Sequence, residues 1–287
     1  MKTIYLNPEN LRHWQKEAQP NIMALGFFDG LHMGHQEVIN QAKQLGMEKS
    51  LPVSVMSFFP HPKTVLSNGQ KQMNYLMPLS DKENVLQTLG VDIFYIVEFD
   101  RAFSSLSPKD FVAKYLVNLG VVHAVAGFDY AYGFKGEGNM DRLKADSGGQ
   151  LNVTKVSKVE CRGEKISSSC IRKRLLNGNI EELPDFLGRP YEIRCEYDGT
   201  SLKLKPYYTL PAPGKYAVTL IGKSKSQEIN VIVTDDKEII AFDHLSNVNP
   251  LNGARLLTIR WHQRIGDETN YSFYENDQYY SLLNQSN

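Results

Sequence analysis

Short apolar runs separated by helix-period stretches organise the first two-thirds of the chain. Ile22–Gly26, Leu51–Phe58, Val91–Phe99 and Val121–Gly127 are near-continuous apolar segments of strand length. That pattern marks strands buried on both faces. Between them, Gly34–Leu45 places Val38, Ile39, Ala42 and Leu45 on one helical face. Ser80 with Glu83 reads as a capping box ahead of Val85, Leu86 and Leu89. Ser107-Pro108 reads as a cap followed by proline at the first helical position, before Phe111, Val112, Tyr115 and Leu116. Strand and helix alternating in this way predict a parallel sheet covered on both faces, with ligands at the carboxyl ends of its strands.

The last hundred residues carry a different pattern. Asp198-Gly199 is a hairpin signal between Glu192–Tyr197 and Leu202–Tyr207. Val218–Ile221, Glu228–Val233, Glu238–Phe242 and Arg255–Trp261 add strand-like runs, and helical patterning is scarce until the aromatic tail near Tyr279. A small antiparallel β-barrel-like domain is expected. The junction falls near Phe186–Pro190, which divides the chain into residues 1–187 and 188–287.

Composition narrows the class. Hydrophobic residues are 41% and charged residues 22% of 287, which argues against a disordered, collagen-like or coiled-coil chain. The 32 basic residues equal the 32 acidic ones, so the excess positive charge of a general nucleic-acid binder is missing. A local site for a small anion remains compatible with that balance. No apolar run approaches the roughly 20 residues that span a bilayer, and Met1–Pro20 lacks the apolar centre of a secretion signal. Three cysteines without a CxxC pair indicate neither a disulfide framework nor a zinc site. A soluble, reducing, cytoplasmic setting without membrane or nucleic-acid partners is expected; the oligomeric state is not legible.

The strongest chemical signal is Gly26-Phe27-Phe28-Asp29-Gly30-Leu31-His32-Met33-Gly34-His35, placed between a strand and a helix. A helix N-terminus offers free N–H groups and partial positive charge, which suit phosphate. His32 and His35, three apart, can donate to one anion, and a charged ring would add attraction. An isolated HxxH is more often a turn with two surface histidines, but the whole string in this setting favours the anion site. Zinc is disfavoured because the HExxH spacing and a third ligand are missing.

The string resembles the GxFDGxHxGH motif of the nucleotidyltransferase superfamily that carries an HxGH signature. Ile166-Ser167-Ser168-Ser169-Cys170-Ile171-Arg172 resembles that superfamily's ISSTxIR motif. Taken alone, it would serve equally well as a serine-capped helix with a solvent-facing arginine. Phe58-Phe59-Pro60-His61-Pro62, Gly127-Phe128-Asp129-Tyr130-Ala131-Tyr132-Gly133 and Leu187-Gly188-Arg189-Pro190-Tyr191 are similar to segments of the prokaryotic FAD synthetases, which combine riboflavin kinase with FMN adenylyltransferase. The resemblance implies an α/β, Rossmann-like HxGH nucleotidyltransferase domain over residues 1–187. It implies His32, His35 and Arg172 as catalytic residues, and Gly26, Phe27, Phe28, Asp29, Gly30, Gly34, Ser168, Ser169 and Ile171 around ATP. It implies His61, Pro62, Asp129, Tyr130 and Tyr132 around FMN. Mg²⁺ would accompany ATP, and no metal-ligating residue is identified. The aromatics of the 127–133 segment would equally serve as core, and Asp129 as a turn cap.

The second half departs from the family. The PTAN segment of riboflavin kinases is missing between Tyr191 and Tyr208. Their catalytic Glu has no counterpart near Ile239–His244. Pro211–Val218 and Arg264–Glu268 still resemble family segments. The expectation is therefore an FMN adenylyltransferase that makes FAD and pyrophosphate, with a degenerate kinase-like domain. A bifunctional enzyme, a transferase with another phosphate acceptor and a non-catalytic flavin- or nucleotide-binding regulator are the alternatives. Cys170, in the first turn of the Ser168–Arg172 helix start, is either a small buried hydrophobe or a redox-sensitive thiol.

Overall fold

The computed structural model describes residues 1–197, 202–204, 207–223, 225–241 and 256–267. Backbone contacts divide the chain into two compact units. The first comprises Met1–Arg172, Asp185–Gly188 and Tyr207–Thr209, and the second Lys173–Pro184, Arg189–Pro206 and Leu210–Asn287.

Six strands form the sheet of the first unit: β1 (Lys2–Leu6), β2 (Asn21–Leu25), β3 (Val53–Phe59), β4 (Ile93–Glu98), β5 (Val121–Gly127) and β6 (Asn152–Val156). Their spatial order is β1-β4-β3-β2-β5-β6 and every pairing is parallel. Alternate residues serve opposite faces. Ile22, Ala24, Val55, Phe94 and Ile96 pack with Val38, Ile39 and Ala42 of helix α1 (Met33–Lys49). Met23, Leu25, Met56, Tyr95 and Val97 pack with Phe111, Val112, Tyr115 and Leu116 on the other side. Burial on both faces is why these strands read as continuous apolar runs. From β2 the chain builds towards β3 and β4 on one side, and β5 and β6 lie on the other. The order therefore reverses between β2 and β5, where ligands of open parallel sheets bind.

Ser107 caps the turn begun by Pro108, its hydroxyl accepting from the Asp110 amide at 3.1 Å, as the sequence predicts. The capping box at Ser80 does not form. Helix α2 (Leu79–Thr88) starts earlier, with Pro78 at the cap, and Ser80 lies within its first turn. The reason is a contact distant in sequence: the Leu76 and Met77 amides are tied to Asp29, and the Pro78 carbonyl accepts from the Asp81 and Lys82 amides. Strands β1 and β6 carry no apolar run of the kind that announces the central four. Both are edge strands with mixed burial.

In the second unit, β7 (Glu192–Tyr197), β8 (Leu202–Leu204), β9 (Gly214–Ile221), β10 (Ser226–Val233), β11 (Ile239–Ala241) and β12 (Leu256–Gly266) form one antiparallel sheet. The order is β8-β7-β12-β9-β10-β11, and the outer strands β8 and β11 approach each other, so the sheet curls into a nearly closed barrel. Strict alternation along Gly214–Ile221 sends Tyr216, Val218 and Leu220 inward, against Ile193, Ile259 and Trp261. The predicted run Leu202–Tyr207 ends as strand at Leu204 among the described residues, and Tyr207 turns to a different partner. The turn at Asp198-Gly199, the segment Phe242–Arg255, Glu268 and the aromatic tail lie outside the described residues.

Candidate active site

Strand β2 ends at Leu25 and delivers Gly26–Leu31 to the carboxyl edge of the sheet, ahead of α1. The loop turns through positive φ at Phe28 (54°), Gly30 (81°) and Leu31 (43°). The φ of Gly30 favours glycine, and a Cβ there would lie 3.0 Å from a Leu76 methyl, which would have to give way. Phe28 and Leu31 point inward and are fully buried. Phe28 thus anchors the loop from below, and its ring lies edge-on to His35, 5.2 Å between centroids.

His32 is the N-cap of α1. Its Nδ1 accepts from the His35 amide at 3.2 Å. Accepting there uses the Nδ1 lone pair and leaves Nε2 as the ring's donor. His35 stacks on His32, with centroids 3.6 Å apart and planes 16° from parallel. Burial, then His32 and Lys82, hold the His35 pKa well below the ordinary range, and its buried Nδ1 finds no partner among the described residues. Gly34 leaves room for this stack; a Cβ there would press within 3.3 Å of the His32 ring. His61 repeats the theme. It caps the short helix Pro62–Leu66, with Nδ1 accepting from the Lys63 amide at 3.0 Å. Its pKa falls to about 4, first through burial and then through Arg172. Burial therefore favours the neutral form at His35 and His61.

Asp29 organises the rest. Its buried carboxylate accepts from the Leu76 amide at 3.2 Å and the Met77 amide at 3.1 Å, and it pairs with Arg172. Arg172 also donates to the Asn74 carbonyl at 3.0 Å. The Ser168 hydroxyl donates to the Asp29 carbonyl at 2.9 Å. Three segments distant in sequence, 26–31, 74–77 and 168–172, are thereby fixed to one another. The helix Ser168–Asn177 begins after Ser167, whose hydroxyl accepts from the Cys170 amide at 3.2 Å. Ser169 is exposed, whereas Ile171 is fully buried.

Lys82 escaped the sequence reading. It lies on α2 and is only 2% exposed, yet no carboxylate pairs with it among the described residues. Its ammonium donates to the Phe27 carbonyl at 2.7 Å and the Ser57 hydroxyl at 3.1 Å, and lies 4.9 Å from the Phe27 ring centre. Burial lowers its pKa to about 8, against an opposing pull from Asp29. A lysine in an amphipathic helix normally marks the wet face, so pattern alone offers no signal here.

The FMN-assigned residues divide. His61 lies beside the loop, its ring edge-on to Phe27 at 4.5 Å, with Pro62 opening its helix. Tyr132 is buried and donates to Asp146 at 2.7 Å, and Tyr130 packs on the same core cluster. Asp129 pairs with Lys165, which also lies over the exposed Phe128 ring at 4.7 Å.

Residues 14–170 match the family described as FAD synthetase. A bifunctional riboflavin kinase/FMN adenylyltransferase of Listeria monocytogenes is 39% identical over 95% of this chain and 92% of its own length. The chain belongs to the FAD synthetase family. It is accordingly an enzyme of the nucleotidyltransferase class. A second Listeria monocytogenes relative, named FAD synthetase, is 29% identical over 77% of this chain and 90% of its own. The crystal structure of a Streptococcus pneumoniae protein titled macrolide-efflux protein superposes with a TM-score of 0.79 at 27% identity, covering 99% of this chain and 97% of the other. In this family member no described helix is long and apolar enough to cross a membrane.

Proposed function

We propose that this member of the FAD synthetase family makes FAD and pyrophosphate from FMN and ATP and does not phosphorylate riboflavin. Residues 1–187 would carry the transfer, and 188–287 would form a kinase-like barrel without kinase chemistry. The observation that carries the first part is the Asp29 lock, which sets Arg172 beside the glycine-rich loop and its stacked histidines.

The acceptor is a phosphate monoester, whose second ionisation near pH 6 leaves it largely dianionic at neutral pH. It needs no strong base. Its oxygen attacks the α-phosphorus of ATP, the bond to the β-phosphate oxygen breaks, and pyrophosphate leaves with the electron pair. The enzyme's task is to hold two anions in line and to stabilise the leaving group. The Nε2–H of His32 and the neutral His35 ring would contact the triphosphate. Arg172 and Lys82 would supply positive charge, and Gly26–Gly34 with Ser168 and Ser169 would shape the phosphate-binding backbone. Phe28 and Ile171 would serve from the core beneath. His61 and Pro62 would border the flavin, and Asp129, Tyr130 and Tyr132 would support its far side. Among the described residues no three His, Cys, Asp or Glu side chains converge. Mg²⁺ would accompany ATP and neutralise charge on its phosphates.

The missing PTAN segment supports loss of kinase chemistry, and the 29% identical relative is named for FAD synthesis alone. The 39% identical relative is named as bifunctional, which favours the second reading, an enzyme with both activities. One assay separates them. The purified chain is incubated with ATP-Mg²⁺ and either riboflavin or FMN, and products are resolved by chromatography. FAD from FMN with no FMN from riboflavin is the expected result. FMN formed from riboflavin would establish the bifunctional reading.

A further inference from the structure

Tyr207–Thr209 lies in the second half of the sequence but packs within the first unit. Tyr208 forms a parallel bridge to Tyr75. The Tyr75 amide donates to the Tyr207 carbonyl at 2.5 Å, and the Thr209 amide donates to the Tyr75 carbonyl at 2.8 Å. The buried Tyr208 hydroxyl donates to Asp81 on α2. The strap is thus held by backbone and side chain against the loop whose next two amides bind Asp29.

This attachment leaves Tyr207 in an unusual position. Its φ is +78°, a conformation that side-chain-bearing residues adopt at a cost and keep where the surroundings impose it, often at ligand clamps. The residue is 50% exposed. The ring stands edge-on to Tyr75, 6.5 Å between centroids. Tyr75 in turn neighbours Phe27 at 6.2 Å, Phe59 at 6.3 Å and His61 at 6.3 Å. Phe27 belongs to the phosphate loop, and Phe59, like Tyr207, is exposed. Aromatic rings therefore line one side of the anion site, and two of them face solvent with no internal contact that accounts for their exposure.

We propose that Tyr207 is a flavin-contacting residue of the adenylyltransferase site, its ring packing against the isoalloxazine of FMN. This rests on the reading of FMN as acceptor. A planar three-ring system beside a phosphate monoester matches an aromatic surface beside an anion site, and aromatic faces and edges attract one another beyond their buried area. Adenine shares that chemistry, but the strap adjoins His61 through Tyr75, on the side assigned to flavin.

The test compares full-length wild type with Tyr207→Gly and Tyr207→Phe. Glycine adopts φ +78° without strain, so that variant removes the ring while keeping the backbone. Thermal unfolding should show it at least as stable as wild type. Its KM for FMN should rise about tenfold, equivalent to about 1.4 kcal/mol, with KM for ATP within twofold of wild type. Tyr207→Phe should behave as wild type. FMN fluorescence titration should show the same loss of affinity without turnover. Unchanged FMN affinity in the glycine variant, or a rise confined to ATP, would overturn the assignment. A wild-type enzyme that makes no FAD from FMN and ATP would instead sink the proposed function.

Discussion

His32 caps the helix on which His35 rides, and the two rings stack 3.6 Å apart between centroids. One imidazole would therefore have two separable duties, opening a helix and, in the proposed reaction, donating from Nε2. Asn caps helices as well as any residue but lacks that donor at ring distance. His32→Asn should keep unfolding free energy within about 1 kcal/mol of wild type. Its kcat should fall on the order of a hundredfold, the cost of losing one preorganised donor. His32→Ala should lose both. Denaturant melts beside steady-state rates check this, and a His32→Asn enzyme at wild-type rate would remove the ring from catalysis.

Lys82 predicts opposite signs for stability and activity. Its charge is buried, so its folded pKa of about 8 lies below the unfolded value near 10.4. Between those values the unfolded chain holds the extra proton, so folding becomes more favourable as pH rises from about 8 to about 10. At pH 7 burial of the charge costs about 3 kcal/mol, offset in part by two hydrogen bonds. Lys82→Met should therefore leave the melting temperature near or above wild type while lowering kcat at least tenfold. The wild-type rate should decline as pH passes about 8, and the methionine variant should show no such limb. A variant that melts much lower while turning over normally would show a purely structural lysine.

Asp29 should behave as a positioning residue. Asp29→Ala leaves the Arg172 guanidinium without its carboxylate and strands the Leu76 and Met77 amides. Breaking such a buried pair costs about 3–5 kcal/mol. Arg172→Lys should keep the charge but lose the planar fork. We expect a folded protein with a raised KM for ATP, measured at fixed FMN; an unaltered KM would place Arg172 outside the ATP site.

Thiol reagents should find Cys161 first. It is partly exposed, whereas Cys170 is buried, and its sulfur donates to the Ser167 carbonyl at 3.0 Å. Cys195 is fully buried and its thiol is pushed up to about 12. Peptide mapping after brief alkylation of the native protein should show label at Cys161 and full activity. Early label at Cys170 with loss of activity would restore the redox-sensitive reading.

The central strands are legible because burial on both faces leaves near-continuous apolar runs, and the 26–34 loop because its glycines sit between a strand and a helix. β1 and β6 escaped because edge strands need not be apolar throughout. Ser80 misled because a serine three residues before a glutamate is only a local signal, and Asp29, 47 residues from Leu76, decides where that helix starts. Lys82 and Tyr207 share one cause. Their meaning comes from neighbours distant in sequence, and neither periodicity nor motif spacing encodes those neighbours.

Tyr208 reaches Asp81 across 127 residues of chain. A fragment cut at Leu187, where the sequence suggests a boundary, would lack the strap. Such a truncation would strip Tyr75 of its backbone partner and uncover the loop that holds Asp29. Residues 207–209 come late in the sequence yet belong to the first unit, so recombination within the family would have to exchange the strap together with the loop it grips.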